Sequence, residues 1–337
     1  MNFVGCDLHK KTITMCVVNQ TREVLASRRL SCSDTAGITD WIEPFRPLQL
    51  VVEATAGYEW FAKLVEPLAD RVVLAHPSKL RIIAESTRKS DKLDARILAE
   101  FLAADMIPEA YRPTPRQREH RRLVRHRQYL RRRITSVRTR IRQILSDYNA
   151  DFESLFTIRG RRTCAKIKLS SADRFVIDQL WSEYDMYMQQ MQEVERALRE
   201  FAKSAPVAES QARELLQTIP GVGFITVEVF LSEIADVRRF RSQKKVAAYA
   251  GLAPGQRESA GHRKDLGITH AGSGLLRWTL NQASWQLVRR DLKWKRIFED
   301  LAKRRGKKKA ITAVSRRLLT VMTSLVMNGR PYSLAAA

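Results

Sequence analysis

Four carboxylates carry the most chemistry in this chain: Asp7, Glu53, Asp91 and Asp94. Asp7 closes the apolar run Phe3-Val4-Gly5-Cys6, and Glu53 closes Leu48-Gln49-Leu50-Val51-Val52. Asp91 and Asp94 stand three apart in Asp91-Lys92-Leu93-Asp94-Ala95-Arg96, a spacing that puts both on one face of a helix. Carboxylates are the hard oxygen ligands that magnesium prefers, and a cluster of them can hold two Mg2+ ions roughly 3.5–4 Å apart astride a phosphodiester. Ser90, just before Asp91, also reads as a helix N-cap, and two acids in a first turn complement the helix dipole. Capping therefore competes with metal binding at Asp91 and Asp94. The two strand-end acids tip the balance toward the metal.

The second half of the chain offers a nucleophile. Ser259 lies in the glycine-punctuated stretch of residues 251–264, read as a flexible loop, amid Arg257, Arg263 and Lys264. Such cations would stabilise charge on phosphoryl oxygens and ease loss of the hydroxyl proton. Ser273, between Gly272 and Gly274 ahead of a helical run over residues 275–290, competes with it, although a helix N-cap is its simpler reading. By chemistry alone the choice stays open, as does an ordinary loop role for Ser259. Upstream, Ile219-Pro220-Gly221-Val222-Gly223 followed by a helical run over 225–234 matches a helix-hairpin-helix. Gly221 and Gly223 would let a phosphate approach the backbone, and the next helix start would offer free N–H donors. A tight helix–helix turn is the alternative.

These residues need elements to position them. Residues 2–7, 12–18 and 23–30 read as strands of a meander, followed by a helix over 35–42 and a strand over 48–53. A helix over 58–69, a strand over 71–75 and a helix after Pro77 complete an α/β unit in RNase H-like order. In that order Asp7 and Glu53 become neighbours at the sheet centre. From Leu123 the period turns helical: Leu123, Leu130, Val137 and Ile144 recur every seven, with Ile134 and Ile141 between. Ile177, Leu180, Tyr184, Tyr187, Met191, Val194, Leu198 and Phe201 form a second heptad seam, which needs a partner helix in the same hairpin or in another subunit. Residues 152–171 read as the irregular basic loop between them. The basic run Lys303-Arg304-Arg305-Gly306-Lys307-Lys308-Lys309 precedes a last helix over 310–327, as a DNA-binding tail or a solvated linker.

Composition sets the class of partner. The 337 residues carry a net charge of +24, and residues 112 to 143 hold thirteen arginines against one acid, Glu119. Charge concentrated in this way is drawn to phosphate backbones by counterion release. Cys6, Cys16, Cys32 and Cys164 lack CxxC spacing and read as buried thiols rather than zinc ligands or disulfides. No run reaches the roughly 18 apolar residues of a membrane span, and the start lacks a signal-peptide layout. The expectation is a cytoplasmic, nucleoid-associated protein with no membrane partner.

Taken in order, Asp7, Glu53, the Asp91–Arg96 string, Ile219-Pro220-Gly221-Val222-Gly223 and Ala250-Gly251-Leu252-Ala253-Pro254 resemble the DEDD-type insertion-sequence transposases, the bridge-RNA-guided serine–DEDD recombinases. The resemblance covers roughly residues 1–105 and 210–330, and the middle matches in character only. It implies an α/β RNase H-like (RuvC-like) domain over 1–110 holding magnesium through the four acids. It implies a basic region of central coiled-coil helices over 111–207, and a mainly α C-terminal transposase domain with helix-hairpin-helix over 208–337. In that last domain the position after Arg257-Glu258, hence Ser259, would link covalently to DNA. The resemblance also implies donor and target double-stranded DNA and a structured noncoding guide RNA. Homodimers would assemble into a homotetramer in which the acids of one subunit meet the serine of another. Arg131, Arg132 and Arg133 offer the RNA a surface, and the second heptad seam offers a dimer contact. The rivals are a junction-resolving hydrolase that uses water, and a non-enzymatic binding protein.

Overall fold

The computed structural model describes residues 1–77, 79–80, 91–259 and 262–333; for residues 91–93, 256–259 and 262–265 it describes the backbone alone. The chain divides into two compact units, Met1–Arg112 and Pro113–Ala337.

The first unit is built on a five-stranded sheet in the order β3-β2-β1-β4-β5. Strands β1 (Asn2–Leu8), β2 (Thr12–Val18) and β3 (Val24–Ser31) form an antiparallel meander, and β4 (Leu48–Glu53) and β5 (Arg71–Ala75) add on parallel to β1. β-Branched residues suit the pleat, and strict alternation divides β1 between two faces. Val4 and Cys6 join Ile13, Met15, Leu50, Val52 and Phe61 under α1 (Thr35–Ile42) and α2 (Tyr58–Val65). On the other face, Phe3 borders the clusters that contain Ala95, Leu98, Ala99 and Leu102 of α3 (Asp91–Ala103). Asp34 caps α1 by accepting from Gly37 N at 2.9 Å. Helix α2 stops at Val65 rather than running to 69, because Pro67 has no N–H with which to continue the helical hydrogen bonding. Cys6 and Cys16 are buried, and Cys32 is half-buried. Burial, then the neighbouring Asp7 and Cys16, pushes the Cys6 thiol well above its ordinary value. The expected cap Ser90 and most of the helix expected after Pro77 lie outside the described residues.

The second unit is helical apart from one hairpin. Helix α4 (Pro115–Asp147) opens on a reciprocal cap: Thr114 Oγ1 accepts from Gln117 N, and Gln117 Oε1 accepts from Thr114 N at 3.0 Å. Helix α6 (Ser171–Lys203) lies antiparallel in sequence sense across a connection that is not the irregular loop expected, since it contains the helix α5 (Ile158–Ala165), capped by Thr157. The second heptad seam is filled from within the chain. Ile177, Leu180, Tyr187 and Val194 share a core with Leu130, Val137, Ile141 and Leu145 of α4, and Leu198 sits in a core with Val124. This corrects the expectation that the seam is offered to another subunit: its apolar area is already spent on α4.

Helices α7 (Val207–Gln217), α8 (Phe224–Ile234) and α9 (Gln243–Tyr249) follow, then the antiparallel strands β6 (Pro254–Ser259) and β7 (His262–Ile268). The stretch read as a loop around Ser259 is thus a β-hairpin. Helices α10 (Gly274–Arg290), α11 (Leu292–Arg305) and α12 (Lys307–Asn328) complete the unit. The basic run is neither tail nor linker: Lys303, Arg304 and Arg305 end α11, Gly306 turns with φ +78°, and the three lysines begin α12. Contrary to the reading of the sequence, α12 is long and apolar enough by composition to cross a membrane. Its Ile311, Val314, Leu318, Leu319 and Met322 lie in the central core of the unit.

Candidate active site

Asp7 and Glu53 are set by strand register. β1 and β4 pair in parallel up to Cys6 and Val52, so the two acids are the next residues on adjacent strands. Both sit in the odd-numbered alternation, with Phe3, Gly5 and Val51, on the face that α3 covers. Helix α3 reaches that face because residue 5 has no side chain. A Cβ built on Gly5 would stand 2.0 Å from the Ala95 carbonyl oxygen and 2.4 Å from Ala99 N. Asp94 precedes Ala95 and is half-buried at the edge of the stripe that faces the sheet. Three of the four predicted acids therefore belong to one layer. Asp91 is placed by its backbone in the first turn of α3, and its side chain lies outside the described residues.

Two neighbours of Asp7 were absent from the reading of the sequence. Thr14 pairs directly across from Asp7 on β2; its hydroxyl is buried and has no hydrogen-bond partner among the described residues. His9 Nε2 stands 3.1 Å from Asp7 Oδ2, with its ring largely exposed. The Asp-x-His spacing gives a faint signal for His9, because i and i+2 share a strand face. Thr14 shows itself only once the register is known. Among the described residues no group of three or more His, Cys, Asp or Glu is drawn together tightly enough to hold a metal ion. The donor set nevertheless suits a hard divalent cation: carboxylates from three elements, beside an orphaned buried hydroxyl.

In the second unit Ser259 is the last residue of β6, opposite His262, with Arg257 opposite Lys264 and Glu258 opposite Arg263. The side chains of Arg257, Ser259, Arg263 and Lys264 lie outside the described residues. The base of the hairpin is tied down by Thr269 N to Ala253 O at 3.0 Å and His270 N to Gly251 O at 3.2 Å. Gly251 and Gly272 have φ of +70° and +81°, and a Cβ on either would fall 1.9 Å from a carbonyl oxygen. Ser273 is a helix cap, accepting from Leu276 N at 3.2 Å.

The turn between α7 and α8 has Gly221 at φ +85°, where a Cβ would meet Gln286 at 2.7 Å. Gly223 caps α8, and a Cβ there would meet nothing. The turn lines a cleft of about 450 Å³ with Gln286 and Arg290. Of the three arginines assigned to nucleic acid, Arg132 is exposed, and Arg133 donates to Tyr187 Oη at 3.3 Å. Arg131 lies 3.9 Å over the Trp278 ring. Other arginines of α4 are committed to the fold: Arg125 grips Glu233, and Arg121 caps the end of α8 through Ser232 O and Glu233 O.

Segments in both halves of the chain match known proteins. Residues 4–150 match a model of the DEDD type described as transposase, and residues 213–299 match the model of the Transposase IS116/IS110/IS902 family. The transposase for insertion sequence element IS1111A of Coxiella burnetii is 22% identical, covering 100% of this chain and 92% of its own length. The transposase for insertion sequence element IS1328 of Yersinia enterocolitica is 24% identical over 84% and 83%. The pilin gene-inverting protein of Moraxella lacunata is 25% identical, covering 98% of this chain and 97% of its own.

Proposed function

Since the chain is a DNA transposase of the IS110/IS116 kind with a DEDD transposase domain, we propose that it cuts and rejoins DNA through a phosphoserine formed at Ser259. The observation that carries this reading is the shared layer of Asp7, Glu53 and α3, inside the region that matches the DEDD model. A DEDD domain points to a divalent metal, and we assign magnesium to Asp7, Glu53, Asp91 and Asp94. Bound there, the ion would polarise a scissile phosphate. Ser259 Oγ gives up its proton, bonds to phosphorus and displaces a DNA hydroxyl oxygen, which takes up a proton. Rejoining reverses the step, with a hydroxyl of the exchanged strand as the attacking group, so the phosphodiester bond energy is conserved in the protein link. Arg257, Arg263 and Lys264, on the same hairpin, steady the phosphoryl oxygens.

The same reading divides the chain by role: residues 1–110 hold metal, 111–207 hold nucleic acid and 208–337 supply the serine. The turn of residues 218–223 acts as a helix-hairpin-helix that holds a DNA phosphate. The open space at Gly223 and the cleft beside Arg290 support that assignment. A structured noncoding guide RNA, pairing with donor and target DNA, and a homotetramer that joins acids and serine from different subunits complete the proposal. A coiled-coil dimer contact has to use surface outside the α4–α6 seam.

The test is a search for covalent protein–DNA adducts after denaturation and nuclease trimming. An adduct at Ser259 is expected in the wild type and in Ser273→Ala, and is expected to vanish in Ser259→Ala and Asp7→Asn. Recombination that persists in Ser259→Ala without any adduct would hand the reaction to water as nucleophile.

A further inference from the structure

A cleft of about 380 Å³ opens between α4 and the start of α10, lined by Gln128, Arg131, Arg132, Thr135, Leu275 and Trp278. That volume falls in the range of small-ligand sites, roughly 300–1,000 Å³. Trp278 is 38% exposed. Buried Thr279 and Leu280 follow it on α10, so the backbone beneath the ring is fixed by the core. The Arg131 guanidinium carbon lies over one side of the ring, 3.9 Å from its centroid.

The charge in the cleft is uncompensated. Arg127 donates to Glu195 at 2.8 Å, whereas among the described residues no carboxylate pairs with Arg131 or Arg132. Burial, then the nearby Arg127, lowers the pKa of Arg131. A half-buried cation beside a second cation, with no acid to answer it, is suited to an anion from outside. A flat aromatic platform beside that cation is suited to a base. Stacking and phosphate neutralisation together are how single-stranded nucleic acid is held, and duplex DNA offers no free base face for such a shelf.

We infer that the Trp278–Arg131–Arg132 shelf binds an unpaired nucleotide strand, with a base stacked on Trp278 and its phosphate on the two arginines. This rests on the nucleic-acid reading given above and adds to it a strand type and a residue, Trp278. The shelf reads no sequence, because every base has a stacking face.

Fluorescence anisotropy of the full chain tests it, using labelled single-stranded RNA, single-stranded DNA and duplex DNA of equal length. Trp278→Ala is expected to weaken single-strand binding about tenfold, and Trp278→Phe to restore most of it. Duplex binding is expected to change less than about twofold. The RNA and DNA arms show which strand the shelf prefers. Unchanged single-strand affinity in Trp278→Ala overturns the shelf. Equal loss of single-strand and duplex binding overturns it too, because Trp278 is then merely packing. A wild type that binds duplex but no single strand overturns the shelf and leaves the transposase reading standing. A wild type that binds neither takes both down. Circular dichroism of each variant separates lost binding from lost fold.

Discussion

Single residues show where charge is structural and where it is available. Glu228 is fully buried, accepting from Arg213 Nε at 2.7 Å and Nη2 at 3.0 Å, with His120 Nε2 at 2.6 Å. Burial works to raise its pKa, but the hydrogen bonds from His120 and Arg213 outweigh it and the carboxyl is lowered. Glu209 behaves alike, with burial outweighed by Arg116 and Arg213. Both carboxyls are depressed in the fold, so their stabilisation is complete above the unfolded carboxylate pKa of about 4.3 and fades as pH falls through the folded values. Denaturant midpoints measured down a pH series should therefore drop below about pH 4.3, and less steeply in Glu228→Gln. At neutral pH, Glu228→Gln should itself cost about 1.5–3 kcal/mol, since it removes one of the two carboxylates that answer the buried Arg213 and leaves Glu209 as the other. A cost under about 1 kcal/mol would mean the pair is wetter than the structure portrays. At the candidate site, Asp7 and Glu53 were legible as acids ending apolar strands. Thr14 and His9 were not, because an isolated threonine or histidine says nothing until pairing puts it beside an acid.

Elements explain how the acids meet. Helix α3 can lie on the sheet only because Gly5 leaves room for Ala95 and Ala99. Gly5→Ala should push α3 off β1 and destabilise the first unit by about 1–3 kcal/mol or more. Recombination should fall with it, while the second unit keeps its nucleic-acid affinity. Thermal melting and a binding titration on the same sample would check both, and a Gly5→Ala protein with wild-type melting would remove the close-approach argument. The first five strands were readable because each is a short apolar or alternating run bounded by polar residues. The β6–β7 hairpin was not: Pro254-Gly255-Gln256-Arg257-Glu258-Ser259 has no apolar alternation, and it pairs without a core behind it in sequence. Helix α5 gives no sequence signal for the same reason, being about two arginine-rich turns with only Gly160 and Cys164 buried. Heptad spacing showed that α6 needed a partner, but spacing carries no address, and the structure supplies α4.

At the scale of the molecule the governing quantity is the net charge of +24. Affinity for duplex DNA should fall roughly a hundredfold or more between about 50 and 200 mM salt, as counterions are released from several phosphates. A filter-binding series gives the slope, and a flat one would put the arginines of α4 to structural use alone. The two units also keep their cores apart in sequence. Every cluster of the first unit is complete by Ala110, and every cluster of the second begins at or after Leu123. Between them fall the boundary at Arg112 and the Thr114–Gln117 cap that starts α4 afresh. For a chain made from its N-terminus this sets an order of birth. The acid-bearing half can finish folding on the ribosome while the arginine helix is still being threaded out. Each new copy then gains its most basic segment only after the acid-bearing half has left the ribosome.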